Sequence, residues 1–322
     1  MFRSLLVLAV FAGSLLLPTT AGADETPPLT VPASRLRAAV HCSADVRGAD
    51  RDPVLLIPGT TLTPEEFRWN YVRAFRAKGW PYCTVALPHN GMDDIQTAAE
   101  YVVYAIRQVS GAAGRKVDVV GHSQGGMIGR WALKYWPDTR VDVGDLVGLA
   151  PSNHGTLLAN AVCVPGCAPA FWQQRAGSAF LTALNSGPET WAGIDYTNVY
   201  TATDEVVTPN LDHNGSSSLH TGAGRISNVG LQEVCPARVA DHLSTGTTDA
   251  VAYALVVDAL THDGPADPAR IPLSACGQLL MPYVDPATVA QDEANLATTV
   301  ATQVALYPHA AAEPPLRRYT ES

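Results

Sequence analysis

The sequence predicts an α/β fold: a mostly parallel central sheet with helices on both faces. Two observations carry that expectation. Short apolar, β-branched runs bounded by turn residues recur along the chain, and amphipathic stretches with 3–4 spacing lie between them. Strands that alternate with helices need crossover connections, which make neighbouring strands parallel and bury both faces of the sheet.

Residues 53–58 read as a buried strand running into Gly59-Thr60-Thr61. Residues 65–78 follow as one helix, with Phe67, Trp69, Tyr71, Val72 and Phe75 forming a broad apolar stripe. The next strand is 84–87. A long helix over 93–109 then carries Ile95, Ala98, Tyr101, Val102, Ala105 and Ile106 on one face. Residues 116–120 form a strand leading directly into Gly121, and 126–135 continue as a helix stopped by Pro137. Residues 145–150 add a strand, and 180–184 are helical. Two more strands fall at 197–202 and 226–232, and closing helices at 249–261 and 287–306. No repeat, charge block or linker divides residues 24–322. One domain is therefore expected, with a peripheral Pro- and charge-rich tail from about residue 310.

Residues 1–23 read as an export signal rather than as fold. Arg3 gives a basic start, 4–17 an apolar run, and Ala21-Gly22-Ala23 a small-residue cleavage site. That run is shorter than the roughly 18–20 residues a membrane span needs, so a secreted protein is expected. Without Arg3 the formal net charge moves from −9 to about −10, and no basic stripe interleaved with aromatics is present. Nucleic acid is thereby excluded as a partner. The six cysteines, an even count behind an export signal, read as three disulfides. Of the possible pairings, nearest-neighbour order favours Cys163–Cys167 as a clip on one Pro-Gly turn.

The chemistry centres on Gly121-His122-Ser123-Gln124-Gly125. A buried strand precedes this motif and a helix follows it, the setting of a nucleophile elbow in an α/β-hydrolase fold. Such a turn is too sharp for side chains at the flanking glycines, and it projects the serine hydroxyl at the carboxyl edge of the sheet. Serine needs a base and an orienting acid, which in this fold follow in the order Asp or Glu, then His. Asp204 follows a late strand, and His242 lies in a loop after the last strand, before the 249–261 helix. His213 and His220 sit in a polar stretch, 210–224, that reads as a surface loop. His262 closes a helix and His309 lies in the tail. Asp212, His213 and His220 read as hydrated surface residues, so no metal is expected. Backbone donors for an oxyanion come from Gln124, after the nucleophile, and from the Gly59-Thr60-Thr61 turn.

From about Cys42 to Cys276 the chain resembles the Candida antarctica lipase B family of α/β-hydrolases. The segments that carry the resemblance are 53–60, 121–126, Phe171-Trp-Gln-Gln174 with Gly177-Ser-Ala179, 200–207 and Ala240-Asp-His242. The resemblance implies Ser123, Asp204 and His242 as a catalytic triad, with Thr60 and Gln124 as oxyanion donors. It implies a substrate pocket bordered by His122, Gln174 and Val206, Gln174 on the acyl side. It also implies disulfides Cys42–Cys83 and Cys235–Cys276. The family's yeast member has Trp where this chain has His122, which opens the alcohol selectivity. The Cys163–Cys167 clip has no recognised counterpart and falls where a small lid would sit. The activity so implied is that of a secreted, cofactor-free, monomeric lipase acting on acylglycerol or other esters, including at an oil–water interface. The alternatives are a carboxylesterase or polyester-degrading esterase with the same triad, and a non-catalytic binding protein on the same fold.

Overall fold

The computed structural model describes residues 26–164 and 166–321. The export signal expected over 1–23 lies outside them. Seven strands form one sheet: β1 (Val40–Cys42), β2 (Val54–Ile57), β3 (Tyr82–Val85), β4 (Val117–His122), β5 (Val143–Leu149), β6 (Asp195–Tyr200) and β7 (Arg225–Gly230). Their order is β1-β3-β2-β4-β5-β6-β7, and every pairing is parallel except the β1–β3 edge. The helices are α1 (Ala33–Ala38), α2 (Glu65–Arg68), α3 (Tyr71–Lys78), α4 (Ile95–Ala113), α5 (Gln124–Tyr135) and α6 (Leu157–Val162). After them come α7 (Pro169–Gln173), α8 (Ala179–Leu184), α9 (Leu231–Val234), α10 (His242–Thr247), α11 (Ala250–Thr261) and α12 (Val289–Leu306).

Period-two alternation divides the core. Leu55, Ile57, Val117 and Val119 point to one face, where α4 and α5 cover them. Val54, Leu56 and Val120 point to the other, beneath α3 and α11. The apolar runs read from the sequence are thus strands buried on both sides.

Four expectations are corrected. The 65–78 helix is two helices, because Asn70 leaves the helical region (φ −126°, ψ −95°) and its side chain caps α3 by accepting from the Tyr71 N–H. His242 is not in a loop: it opens α10, with Asp241 as N-cap accepting from the Ser244 N–H at 2.7 Å. Residues 215–219 of the supposed surface loop are buried, since Ser217 and Asn210 hydrogen-bond inward to each other and to Pro151. The tail beyond residue 310 is docked. Glu313 accepts from the Ala179 and Phe180 N–H groups at the start of α8 (2.9 and 2.7 Å), and Arg317 pairs with Glu100 at 2.6 Å. The edge strand β1 was not foreseen, because two of its three residues are exposed and it carries no apolar run.

All three disulfides, Cys42–Cys83, Cys163–Cys167 and Cys235–Cys276, are present. At the opposite end of the sheet from the elbow, Asp118 and Asp145 stand side by side, Asp118 accepting from the Asp145 N–H at 3.2 Å. Burial, followed by repulsion from Asp118, pushes Asp145 up to about 9. A carboxyl raised in the folded state keeps its proton after the unfolded chain has lost it. Stability therefore falls as pH rises from about 4 toward 9. Asp145→Asn is expected to flatten that fall and to gain about 1 kcal/mol at pH 9, read from denaturant melts at pH 5 and pH 9. A melt difference that matches the native chain at both values would refute it.

Candidate active site

Ser123 sits between the end of β4 and the start of α5, with φ 54° and ψ −121°, a strained backbone for a residue bearing a side chain. The turn depends on its glycines. A Cβ on Gly121 would stand 2.2 Å from the Gly125 backbone, and one on Gly125 would stand 2.1 Å from the Ile57 carbonyl oxygen. The Ser123 N–H donates to Leu149 O on the neighbouring strand at 2.8 Å, and its carbonyl accepts from Gly126 at 3.1 Å, opening α5.

Asp204 follows β6. Its Oδ1 accepts from the Val206 and Val207 N–H groups at 2.9 and 2.8 Å, and both its oxygens lie 3.1 Å from His242 Nδ1. Burial acts to raise its pKa, but the His242 ring and the two N–H donors outweigh burial and hold the carboxyl below the usual carboxylate range. His242 is fixed from several sides. Its N–H donates to Glu205 at 3.0 Å, and the hydroxyls of Thr201 and Thr203 hold the Ala240 carbonyl two residues before it. The Cys235–Cys276 bond and the buried Arg238–Asp249 ion pair (2.5 Å) anchor the segment leading to it.

The loop after β2 faces the elbow. Thr60 Oγ1 accepts from Gln174 Nε2 at 2.9 Å and from Gln124 Nε2 at 3.3 Å, so both lone pairs are used and its hydrogen is left to donate. Gln124 Nε2 also donates to Gly91 O at 2.9 Å. Thr61, with φ 74°, is held by a 2.7 Å bond from its N–H to Asn90 O. Gln124 is the first residue of α5, so its backbone N–H has no intrahelical acceptor.

Ser123, His242, Thr60, Gln174 and Val206 all border one cavity of about 750 Å³. Its upper walls are apolar: Leu158 and Val162 of α6, Phe171 of α7, and Val300 and Val304 of α12. Outside that mouth, Leu157, Val164 and Leu306 are exposed. His122 also borders the cavity but is only 1 % exposed, and both its ring nitrogens are engaged: Nδ1 by Glu66, Nε2 by the His242 carbonyl at 3.1 Å. The ring thus borders the pocket, as expected, with its polar atoms already bonded within the protein. The Cys163–Cys167 clip closes the end of α6, where Ala310 donates to Cys167 O at 2.8 Å and ties it to the tail.

Two contributors escaped sequence reasoning. Glu66, wholly buried against His122, looks in the sequence like an ordinary acidic residue of a first helical turn. The apolar wall of α12, with His309 after it, gives no signal except the helix's own periodicity. His213 pairs with Glu233 at 3.0 Å, beside the Tyr200 ring. Among the described residues no three His, Cys, Asp or Glu side chains are arranged to hold a metal ion. No described helix is long and apolar enough to cross a membrane.

The model of the lipase (class 2) family matches residues 51–229. Lipase B of Pseudozyma antarctica is 34% identical over 247 residues, 76% of this chain and 71% of that protein. The crystal structure of Aspergillus fumigatus lipase B is similar with a TM-score of 0.85 at 32% identity, covering 92% of this chain and 74% of that one. A chain that matches the family over most of its sheet, and a known lipase across three quarters of its length, belongs to the class 2 lipases and is a serine ester hydrolase.

Proposed function

We propose that residues 24–322 act as one secreted domain that hydrolyses acylglycerol esters through Ser123, His242 and Asp204 and an acyl-enzyme intermediate. The contact between Asp204 and His242, at the edge of the cavity that holds Ser123, is the observation that carries this reading. His242 takes the Ser123 proton as the hydroxyl attacks the ester carbonyl, while Asp204 fixes the imidazole tautomer and stabilises its charged form. The Gln124 and Thr60 N–H groups, with the Thr60 hydroxyl, receive the oxyanion. His242 then gives its proton to the leaving alcohol. Water, activated by the same ring, attacks the acyl-enzyme and releases the acid.

The cavity supports this substrate class. Thr60, Ser123 and His242 border it together, and the walls given by α6, α7 and α12 are mainly apolar, which suits a long acyl chain. The exposed leucines and valines of α6 and α12 around the mouth suit an oil surface. Three disulfides fit an oxidising compartment outside the cell.

A fluorophosphonate probe is expected to label the native chain and to leave Ser123→Ala unlabelled. A native chain that resists the probe would overturn the triad. Among p-nitrophenyl esters of two to eighteen carbons, kcat/KM is expected to peak at long chains, with triolein also hydrolysed. A peak at two to four carbons without triolein hydrolysis would replace lipase by short-chain esterase.

A further inference from the structure

Glu66 and His122 form a buried pair that none of the triad chemistry uses. Glu66 is 0 % exposed and His122 1 %. The pair lies between two separate parts of the site. Glu66 Oε2 accepts from the Gly59 N–H at 2.9 Å, immediately before Thr60. Its other oxygen takes His122 Nδ1, and His122 Nε2 donates to the main-chain carbonyl of His242 at 3.1 Å. The two imidazoles also pack against each other, with centroids 4.7 Å apart and planes tilted by 39°. A continuous chain of hydrogen bonds therefore runs from the oxyanion loop through Glu66 and His122 to the backbone of the base.

We propose that Glu66 and His122 are positioning residues that lock the oxyanion loop and His242 in register with each other. The proposal rests on the triad reading above. Each end of the chain meets a place where the local sequence gives little rigidity. Gly59 begins a loop whose next residue but one, Thr61, has positive φ, and His242 opens a helix of only six residues. Such a short helix adds few hydrogen bonds of its own, so its first residue depends on the cap and on contacts from outside the helix. A buried, fully satisfied polar network can hold it, since each member pays a desolvation cost if it moves off its partner. Space reinforces the lock. A Cβ on Gly246 would stand 2.4 Å from the His122 ring, so α10 rests directly on that ring. Burial acts to lower the His122 pKa, but the Glu66 carboxylate, the His242 carbonyl and the more distant Asp204 outweigh it and raise it. The charged form that these partners favour carries an N–H on each ring nitrogen, one for Glu66 and one for the His242 carbonyl.

The test separates positioning from packing. Glu66→Leu/His122→Phe replaces the pair by apolar groups of similar size, which avoids leaving one buried charge alone. Rates on p-nitrophenyl butyrate are expressed per serine titrated to completion by a fluorophosphonate, so that an unfolded fraction does not count. The double variant is expected to lose at least tenfold in kcat with KM within twofold of native. Glu66→Gln alone can still bond Gly59 with its oxygen and a neutral His122 with its amide, leaving His122 Nε2–H for the His242 carbonyl. It is expected to restore kcat to within about threefold of native. A double variant with kcat within twofold of native, or a Glu66→Gln variant as slow as the double, would overturn the proposal. Should the double variant not fold, Glu66→Met/His122→Leu is measured in its place against the same criteria. Labelling of the native chain and its absence in Ser123→Ala report on the triad separately, so the two readings fail in different experiments.

Discussion

Asp204→Asn is expected to leave the chain folded and to lower kcat by roughly 10⁴-fold, because it forces His242 into the wrong tautomer. The forcing comes from the two backbone donors. Asp204 Oδ1 accepts from both the Val206 and Val207 N–H groups. An asparagine must keep its carbonyl oxygen there, which puts its amide NH₂ in the place of Oδ2, the oxygen hydrogen-bonded to His242 Nδ1. Nδ1 then accepts instead of donating, the ring proton moves to Nε2, and no lone pair remains for the Ser123 proton. The same geometry fixes the pH behaviour. The folded carboxyl is held below its ordinary range, so its contribution to stability is fully present above that range and lost as pH falls through the folded value. Asp204 therefore stays ionised through the ordinary carboxylate range and is expected to add no protonation step of its own to the acid limb of kcat. The checks are kcat on p-nitrophenyl butyrate and a thermal melt. A variant that keeps a tenth or more of native kcat would remove Asp204 from the triad, and an acid limb steeper than one proton would contradict its fixed charge.

What could be read in the sequence and what could not divides along the range of the interactions. The sheet was legible because its signal is local: Leu55 and Ile57 serve one face, Val54 and Leu56 the other, and burial on both leaves an unbroken apolar run. The elbow was legible because Gly121 and Gly125 are demanded by backbone contacts within a few residues of Ser123 or on the adjacent strand. The break at Asn70 was hidden by the apolar stripe that runs through it, since Trp69, Tyr71 and Phe75 all remain buried on either side. The docking of the tail depends on Glu313 meeting the start of α8, more than a hundred residues earlier, and composition alone reads such a segment as loose. The Glu66–His122 pair is the extreme case. Each residue has an ordinary local explanation, and only a contact 56 residues apart gives them a joint one.

Thr60→Val is expected to lower kcat about 10²-fold, roughly 3 kcal/mol of transition-state stabilisation, with little change in KM. The hydroxyl is oriented before substrate arrives. Gln174 Nε2 and Gln124 Nε2 both donate to Thr60 Oγ1, at 2.9 and 3.3 Å, and Gln174 Oε1 is itself held by the Ser152 hydroxyl at 2.9 Å. With its acceptor capacity used, the hydroxyl has only its hydrogen left to offer, and it stands on the same cavity as Ser123. A donor already oriented by its neighbours requires no reorganisation as negative charge develops, which is why its loss falls on kcat rather than on binding. Valine matches threonine in shape but leaves the two amide donors facing a methyl group, so some loss of stability accompanies the change. Thr60→Ser keeps the hydroxyl and separates the two effects: it is expected to retain kcat within about tenfold of native, far above the valine variant. Equal kcat for the serine and valine variants would mean that the loop acts through its backbone N–H alone, and Thr60 would lose its place as a side-chain donor.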